Sequence, residues 1–231
     1  MGDAGQFAAK SAGLTTTGVA EVEALGLSLE TLVQSVIDLD HRVYPIESHG
    51  HIGSAAQWTP IFAAHPETWR VLTAPGGEVV AYWQIAALAP ARFAQASAGR
   101  LHPADLRCAD YERLVAPGTH NMYFVSTCID PAWRDQRTRW QLIDSLLEAI
   151  ESLARRGVIF ERVAATAHSP EGAWLCRAFG LAYLNDAPDR GACFGGGFAD
   201  VIRRLGPALA RRRPALAAAY GVDVSADTRR S

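Results

Sequence analysis

Lysine is almost missing from this chain. Of 22 basic side chains only Lys10 is a lysine, and the rest are arginines. The bias reads as that of an arginine-favouring genome, and it means that a bound phosphate or carboxylate is met by bidentate guanidinium forks. An excess of charge of one sign is missing too: 24 acidic side chains offset the basic ones, for a net charge of −2. That balance excludes a nucleic-acid footprint spread over the whole chain. Cysteine is scarce. Cys108, Cys128, Cys176 and Cys193 show no C-x-x-C spacing, which excludes a disulfide scaffold and predicts a reducing compartment. Long apolar runs are absent as well, because the stretch from Gly76 to Pro90 carries Glu78 and falls short of a membrane span. Met1 to Lys10 lacks a basic region followed by an apolar run, and Gln6 stands where a myristoylation pattern wants Ser or Thr. The expectation is a cytoplasmic protein without membrane contact. What is present suffices for a core: 231 residues, 49% of them hydrophobic.

The chain alternates in pattern between two stretches expected to be tails, residues 1–26 and the arginine-rich residues 206–231. Residues 27–205 read as one domain. Ser28 caps a predicted helix whose apolar face is Leu32, Val33, Val36 and Ile37. A second helix is predicted from Ser54 to His65. Trp69 to Thr73 and Val79 to Leu88 read as a hairpin around Pro75-Gly76-Gly77. His102 to Val115 reads as a short helix. Met122 to Ile129, β-branched and aromatic, reads as a buried strand broken by Asp130-Pro131.

A long amphipathic helix follows, with Leu142, Ile143, Leu146, Leu147, Ile150 and Leu153 on one face and Gly157 as its stop. A strand over Arg162–Ala167 comes next, so strand, helix and strand form a crossover between parallel strands. Ser169 then caps another helix, with Pro170 at its first position, ending at Gly180. Leu181–Leu184 and Cys193–Ile202 read as two more strands. The class is α/β, or α+β with a mixed sheet.

A strand that ends in a turn and opens a long helix gathers free N–H groups and the positive end of the helix dipole, which suits a phosphate. Here that place is Asp130 to Arg139. Arg134, Arg137 and Arg139 at a helix start are electrostatically unfavourable unless an anion is bound. His168 stands at the carboxyl end of a parallel strand, the usual rim of sites in open α/β sheets. Tyr44 to His51 is a polar turn between the first two helices, and Glu47 in it can take a proton. His49 and His51 lack a third ligand at useful spacing, so no metal is expected. Tyr82 and Trp83 alternate faces on the hairpin.

The order of elements and the segment from Asp130 to Arg139 resemble the GNAT superfamily of N-acetyltransferases, from about the first helix to Leu184. That family carries a strand, a proline, then Arg/Gln-x-x-Gly-x-Gly/Ala at the start of its longest helix. Pro131 and Arg134 match, while Arg137 and Arg139 stand where the family has glycines. The block from Pro170 to Leu181 matches a helix that ends in Gly-Phe, here Gly180-Leu181. The resemblance implies a GNAT-like mixed central sheet flanked by helices, with the crossover at an acetyl-CoA site.

In that picture the pantetheine pairs with the edge of the Met122–Ile129 strand at Thr127 and Ile129, where it splays from the next strand. The pyrophosphate lies on Arg134, Asp135, Gln136, Arg137, Thr138 and Arg139, and Ser169 completes the cofactor contacts. Glu47 and His168 are the candidate proton carriers. Cys176, where many members place a tyrosine, is the candidate proton donor to the leaving thiolate. Tyr44 and Trp83 are the candidate substrate contacts. The implied activity is direct transfer of an acetyl group to a primary amine of a small molecule or peptide, with a homodimer left open. Two rivals stand beside it. One uses a longer acyl-CoA or an acyl carrier protein. The other is a non-catalytic module that grips a different anion, such as a nucleotide, with its arginines.

Overall fold

The computed structural model describes residues 13–22, 26–44, 46–189 and 191–222. In chain order the elements are β1 (Thr15–Thr17), α1 (Val19–Val22), α2 (Leu29–Val43), α3 (Ala55–Ala64), β2 (Trp69–Thr73), β3 (Val79–Leu88) and α4 (Pro90–Ser97). They continue as β4 (Gly118–Ile129), α5 (Gln136–Arg155), β5 (Val158–Ala167), α6 (Pro170–Ala178), β6 (Ala182–Asp186), β7 (Ala192–Gly197), α7 (Phe198–Arg212) and α8 (Pro214–Ala219). The strands form a seven-stranded mixed sheet in the order β1-β2-β3-β4-β5-β7-β6, flanked by helices. β4 and β5 pair in parallel, through the α5 crossover, while β1–β2, β2–β3, β5–β7 and β6–β7 pair antiparallel. Among the described residues, no helix is long and apolar enough to cross a membrane.

Two units divide the chain: Met1–Ile85 with His102–Ala109 and Val125–Leu146, and Ala86–Leu101 with Asp110–Phe124 and Leu147–Ser231. In the first, Ser28 caps α2 by accepting from the Thr31 N–H at 3.0 Å. The buried stripe of α2 holds Leu32, Val33, Val36, Ile37 and Leu39, and also Asp40. Ser54 caps α3, which buries Trp58, Ile61 and Phe62. β3 is buried along its whole length. Trp83 on it is fully buried and donates from Nε1 to Ser145 Oγ of α5 at 2.9 Å.

In the second unit, Ser169 caps α6 by accepting from Gly172 N–H at 3.0 Å. Gly157 takes a φ of 80° at the end of α5, as a left-handed helix stop. Gly99 has a φ of 67°, and a Cβ there would stand 2.7 Å from Ala187 Cβ and 2.8 Å from Ala187 Cα. Backbone cannot give way as a side-chain tip can. Gly99→Ala is therefore expected to cost about 3 kcal/mol, combining the left-handed penalty with overpacking. A urea midpoint unchanged in that variant would contradict the close approach.

The structure differs from the sequence reading in several places. His102 to Val115 is not a helix but two 3-10 turns, Pro103–Asp105 and Cys108–Asp110. Leu106 and Leu114 are its buried leucines. The real helix is α4, signalled only by Pro90 at its first turn. The last strand stops at Gly197, and Phe198, Val201 and Ile202 begin the apolar face of α7 instead. Finally, parts of both expected tails are ordered. Thr15–Thr17 pairs with β2, and α7 and α8 run through residues 206–219 with a kink at Gly206. Leu216 and Ala217 are fully buried there, so apolar side chains rather than the arginines decide the fate of that segment.

Candidate active site

An acid on the apolar stripe of a helix needs a partner, because a buried carboxyl without one is costly. Asp40 finds it on β3. The Tyr82 hydroxyl lies 2.7 Å from each Asp40 oxygen and 2.7 Å from Ser126 Oγ on β4. The Tyr44 hydroxyl, at the end of α2, donates to the Thr127 carbonyl at 3.2 Å and stands 3.5 Å from Ser126 Oγ. Thr127 Oγ1 donates to the Tyr82 carbonyl at 3.1 Å and so ties β4 to β3. Beside this network is a cavity of about 40 Å³, lined by apolar side chains such as Val33, Ile37 and Phe62 and by Asp40, Tyr82 and Ser126. That is room for roughly one or two water molecules.

Burial pushes the Asp40 carboxyl up to about 7, with the hydrogen bonds from Tyr82 and Cys128 pulling the other way. Burial also raises Tyr44, Tyr82 and Cys128, and the nearby Asp40 charge raises all three further. At neutral pH these stay protonated while Asp40 sits at its midpoint. A group so poised can accept and return a proton within one turnover.

β4 leads from this cluster to the start of α5. Its ladder with β5 runs from Gly118 to Phe124, so Val125–Ile129 extends beyond the paired stretch. Asp130 opens a 3-10 turn by accepting from the Ala132 N–H at 2.9 Å, and Arg42 reaches its carboxylate at 3.4 Å. Asp135 then caps α5 by accepting from the Thr138 N–H at 2.8 Å. Arg134 Nε donates to the Ile129 carbonyl at 3.0 Å, which pins the turn to the end of the strand. Arg137, Arg139 and Gln136 are exposed, and Thr138 is fully buried with its hydroxyl unpaired.

The first unit thus brings together Tyr44, Thr127, Ile129, Arg134 and the residues to Arg139. Trp83 is not among them. It faces α5 as core, and its neighbour Tyr82 is the one that joins the cluster, because alternation along β3 sends the two to opposite sides. Glu47 lies on the 3-10 turn Ile46–His51, with its side chain outside the described residues. His168, Ser169 and Cys176 belong to the second unit. His168 Nε2 lies 3.8 Å from the Asp189 carboxylate, and burial pushes the Cys176 thiol up to about 11, with Arg177 opposing, which keeps it protonated. The sequence reading missed Asp40, Tyr82, Ser126 and Cys128. One signal was available: Asp40 falls four residues after Val36 and three after Ile37, on the stripe that packs inward.

No family model matches the sequence, and no curated protein does. Solved structures do match its fold. The GphF GNAT-like decarboxylase in complex with isobutyryl-CoA is 15% identical, with a TM-score of 0.51 over 80% of this chain and 98% of that one. The loading GNATL domain of CurA from Lyngbya majuscula is 11% identical, with a TM-score of 0.52 over 80% of this chain and 97% of that one.

This is the GNAT fold.

The mixed sheet expected from Pro131, Arg134 and the crossover is therefore borne out. Within this GNAT fold the departures at Arg137 and Arg139 leave the helix start intact, since Asp135 supplies the cap that the backbone needs.

Proposed function

We propose that the protein is an acyltransferase that moves an acetyl group from acetyl-CoA to a primary amine of a small molecule or peptide by direct transfer. The observation that carries this reading is the titratable Asp40–Tyr82–Ser126 cluster beside the stretch of β4 that extends beyond its β5 ladder, on a GNAT fold. That one structure of this fold holds isobutyryl-CoA supports a CoA thioester as the donor.

The residues present suit that donor. Backbone groups of Val125–Ile129, beyond the β5 ladder, offer pantetheine amides a strand to pair with. The exposed guanidinium groups of Arg137 and Arg139 would hold the pyrophosphate, offsetting the Asp135 carboxylate that caps the same turn. Tyr44, whose hydroxyl reaches the Thr127 carbonyl and Ser126 within the first unit, is the proposed substrate contact. The cap by Asp135 also favours a second reading, a module that binds a different anion through its arginines, because it takes up an N–H that a phosphate would use.

The thermal midpoint with acetyl-CoA, CoA and a nucleotide panel separates the two. A ligand at a hundred times its Kd adds about 2.7 kcal/mol, which for a domain of this size is roughly 5–10 °C. A rise with acetyl-CoA and CoA is the expected result, together with release of free thiol when an amine is added. A rise with a nucleotide alone would replace the transferase by the binding module. Unchanged acetyl-CoA binding after Arg134→Ala and Arg137→Ala together would remove the pyrophosphate from this turn.

A further inference from the structure

An amine enters such a reaction as an ammonium ion and must lose a proton before its nitrogen can attack a thioester carbonyl. Ser126 is half-buried and lines the small cavity together with Asp40 and Tyr82, so its hydroxyl is a protein group that an incoming ammonium can meet. We infer that Ser126, Tyr82 and Asp40 form a proton relay, in which Ser126 Oγ meets the ammonium and the buried Asp40 carboxylate stores its proton.

The geometry gives the relay a direction. A carboxylate only accepts hydrogen bonds, and a phenol has one proton to give. With Asp40 ionised, Tyr82 donates to it at 2.7 Å, and Ser126 must donate to Tyr82 across the second 2.7 Å contact. With Asp40 protonated, the chain runs the other way: Asp40 donates to Tyr82, and Tyr82 donates to Ser126. The two states differ by one proton at each link and need no movement of heavy atoms. Ser126 is half-buried, while Tyr82 and Asp40 are buried, so the chain leads from an accessible hydroxyl inward.

The balance closes. The ammonium passes one proton to Ser126 Oγ as the Ser126 proton moves to Tyr82 and the Tyr82 proton to Asp40. The free amine attacks the thioester carbon, a C–N bond forms, the C–S bond breaks, and the thiolate leaves. A second proton from the former amine nitrogen ends on the thiolate sulfur, and Asp40 returns its stored proton to water before the next turnover.

The groups facing Asp40 are Tyr82 from β3, Cys128 from β4 and Tyr44 from the end of α2, all of which keep their protons at neutral pH. Arg42, Arg134 and Asp130 act on Cys128 at the edge of the cluster. Asp40 alone among these is poised to change state, which makes it a positioning residue for the proton rather than a contact for the substrate.

This inference rests on the acyltransferase reading, and its test separates the two. With an amine of pKa above about 9 as acceptor, the wild-type kcat/KM profile should show an acid limb with its midpoint about 7, the value for Asp40. Asp40→Asn keeps the shape and should remove that limb while lowering kcat about a hundredfold, with the thermal shift by acetyl-CoA unchanged. Tyr82→Phe, which cuts the chain but leaves Asp40, should lose kcat to a similar degree. A carboxyl infrared band that titrates near the same pH, absent from Asp40→Asn, should be seen without any substrate.

A structural role alone would lower the melting temperature and leave the limb in place. Turnover in Asp40→Asn at the wild-type rate with the limb intact overturns the relay and spares the transferase. Absence of turnover with every amine, in a wild-type protein that melts normally, removes both.

Discussion

Asp40→Asn should make the protein more stable at pH 8 and leave it nearly unchanged at pH 4. Asp40 is 6% exposed, and burial raises its pKa to about 7, from about 3.9 in an unfolded chain. A folded-state value above the unfolded one means that the contribution is fully present below pH of about 4 and is lost as pH rises to about 7. Across that window the unfolded chain is ionised at this site and the native one is not, so unfolding releases a proton. The slope is about 1.4 kcal/mol per pH unit, and the full loss is at most about 4 kcal/mol. Above pH of about 7 both states are ionised and the effect is flat. The asparagine keeps an oxygen for the Tyr82 hydroxyl and has no charge to bury. Urea midpoints of both proteins between pH 4 and 8 should diverge with rising pH, and parallel curves would show that Asp40 ionises as freely as a surface carboxylate.

A second large effect is expected far along the chain. Arg213 pairs with Glu151 at 3.2 Å, with the two side chains only 11% and 8% exposed. Removing one member of a buried pair leaves the other charge without its partner, typically at a cost of 3–5 kcal/mol. Arg213→Met should fall near the lower end, because the exposed Arg155 also reaches Glu151 at 3.3 Å and stays behind. The double variant Arg213→Met with Glu151→Leu should regain most of the loss, since two apolar side chains can replace a buried pair at little net cost. Chemical denaturation of the full double-mutant cycle measures this. A cost below about 1 kcal/mol for Arg213→Met would place the pair among solvated surface contacts.

That contact lies in a stretch the sequence presents as a solvated arginine run, and the contrast shows where sequence reading works on this chain. Local signals were legible. Ser28, Ser54 and Ser169 announce three helix starts, and Gly157 and Gly180 announce two stops, because caps and left-handed turns depend on neighbours in the chain. The β4–α5–β5 crossover was legible from the same kind of signal, and the GNAT fold from the resemblance carried by that order of elements with Pro131 and Arg134. What escaped depends on distant partners. Arg211, Arg212 and Arg213 look alike in sequence, and only the position of Glu151, 62 residues earlier, draws the third of them inward from the exposed surface that the other two occupy.

The candidate site divides in the same way. Tyr44 and the Arg134 turn are placed by local chain geometry and were legible as candidates. Tyr82 was passed over for Trp83, because alternation states that adjacent residues face apart without saying which face holds the chemistry. Asp40 was passed over because a helix face was read by its apolar members alone. The acid on that face was the stronger signal, since a buried carboxyl is retained only where something answers it.

The end of α8 has a consequence for how this protein is made. The Tyr220 hydroxyl accepts the backbone N–H of Phe160 at 2.9 Å, across 60 residues of chain. Glu151 waits across a similar span for Arg213. During synthesis, α5 and β5 leave the ribosome with a buried carboxylate and a buried amide whose partners have not yet been translated. At 5–20 residues per second that interval lasts several seconds, long compared with hairpin or helix formation. Until residues 213–220 have been translated, only water can answer the Glu151 carboxylate and the Phe160 amide, so any packing that buries them early carries an added desolvation cost.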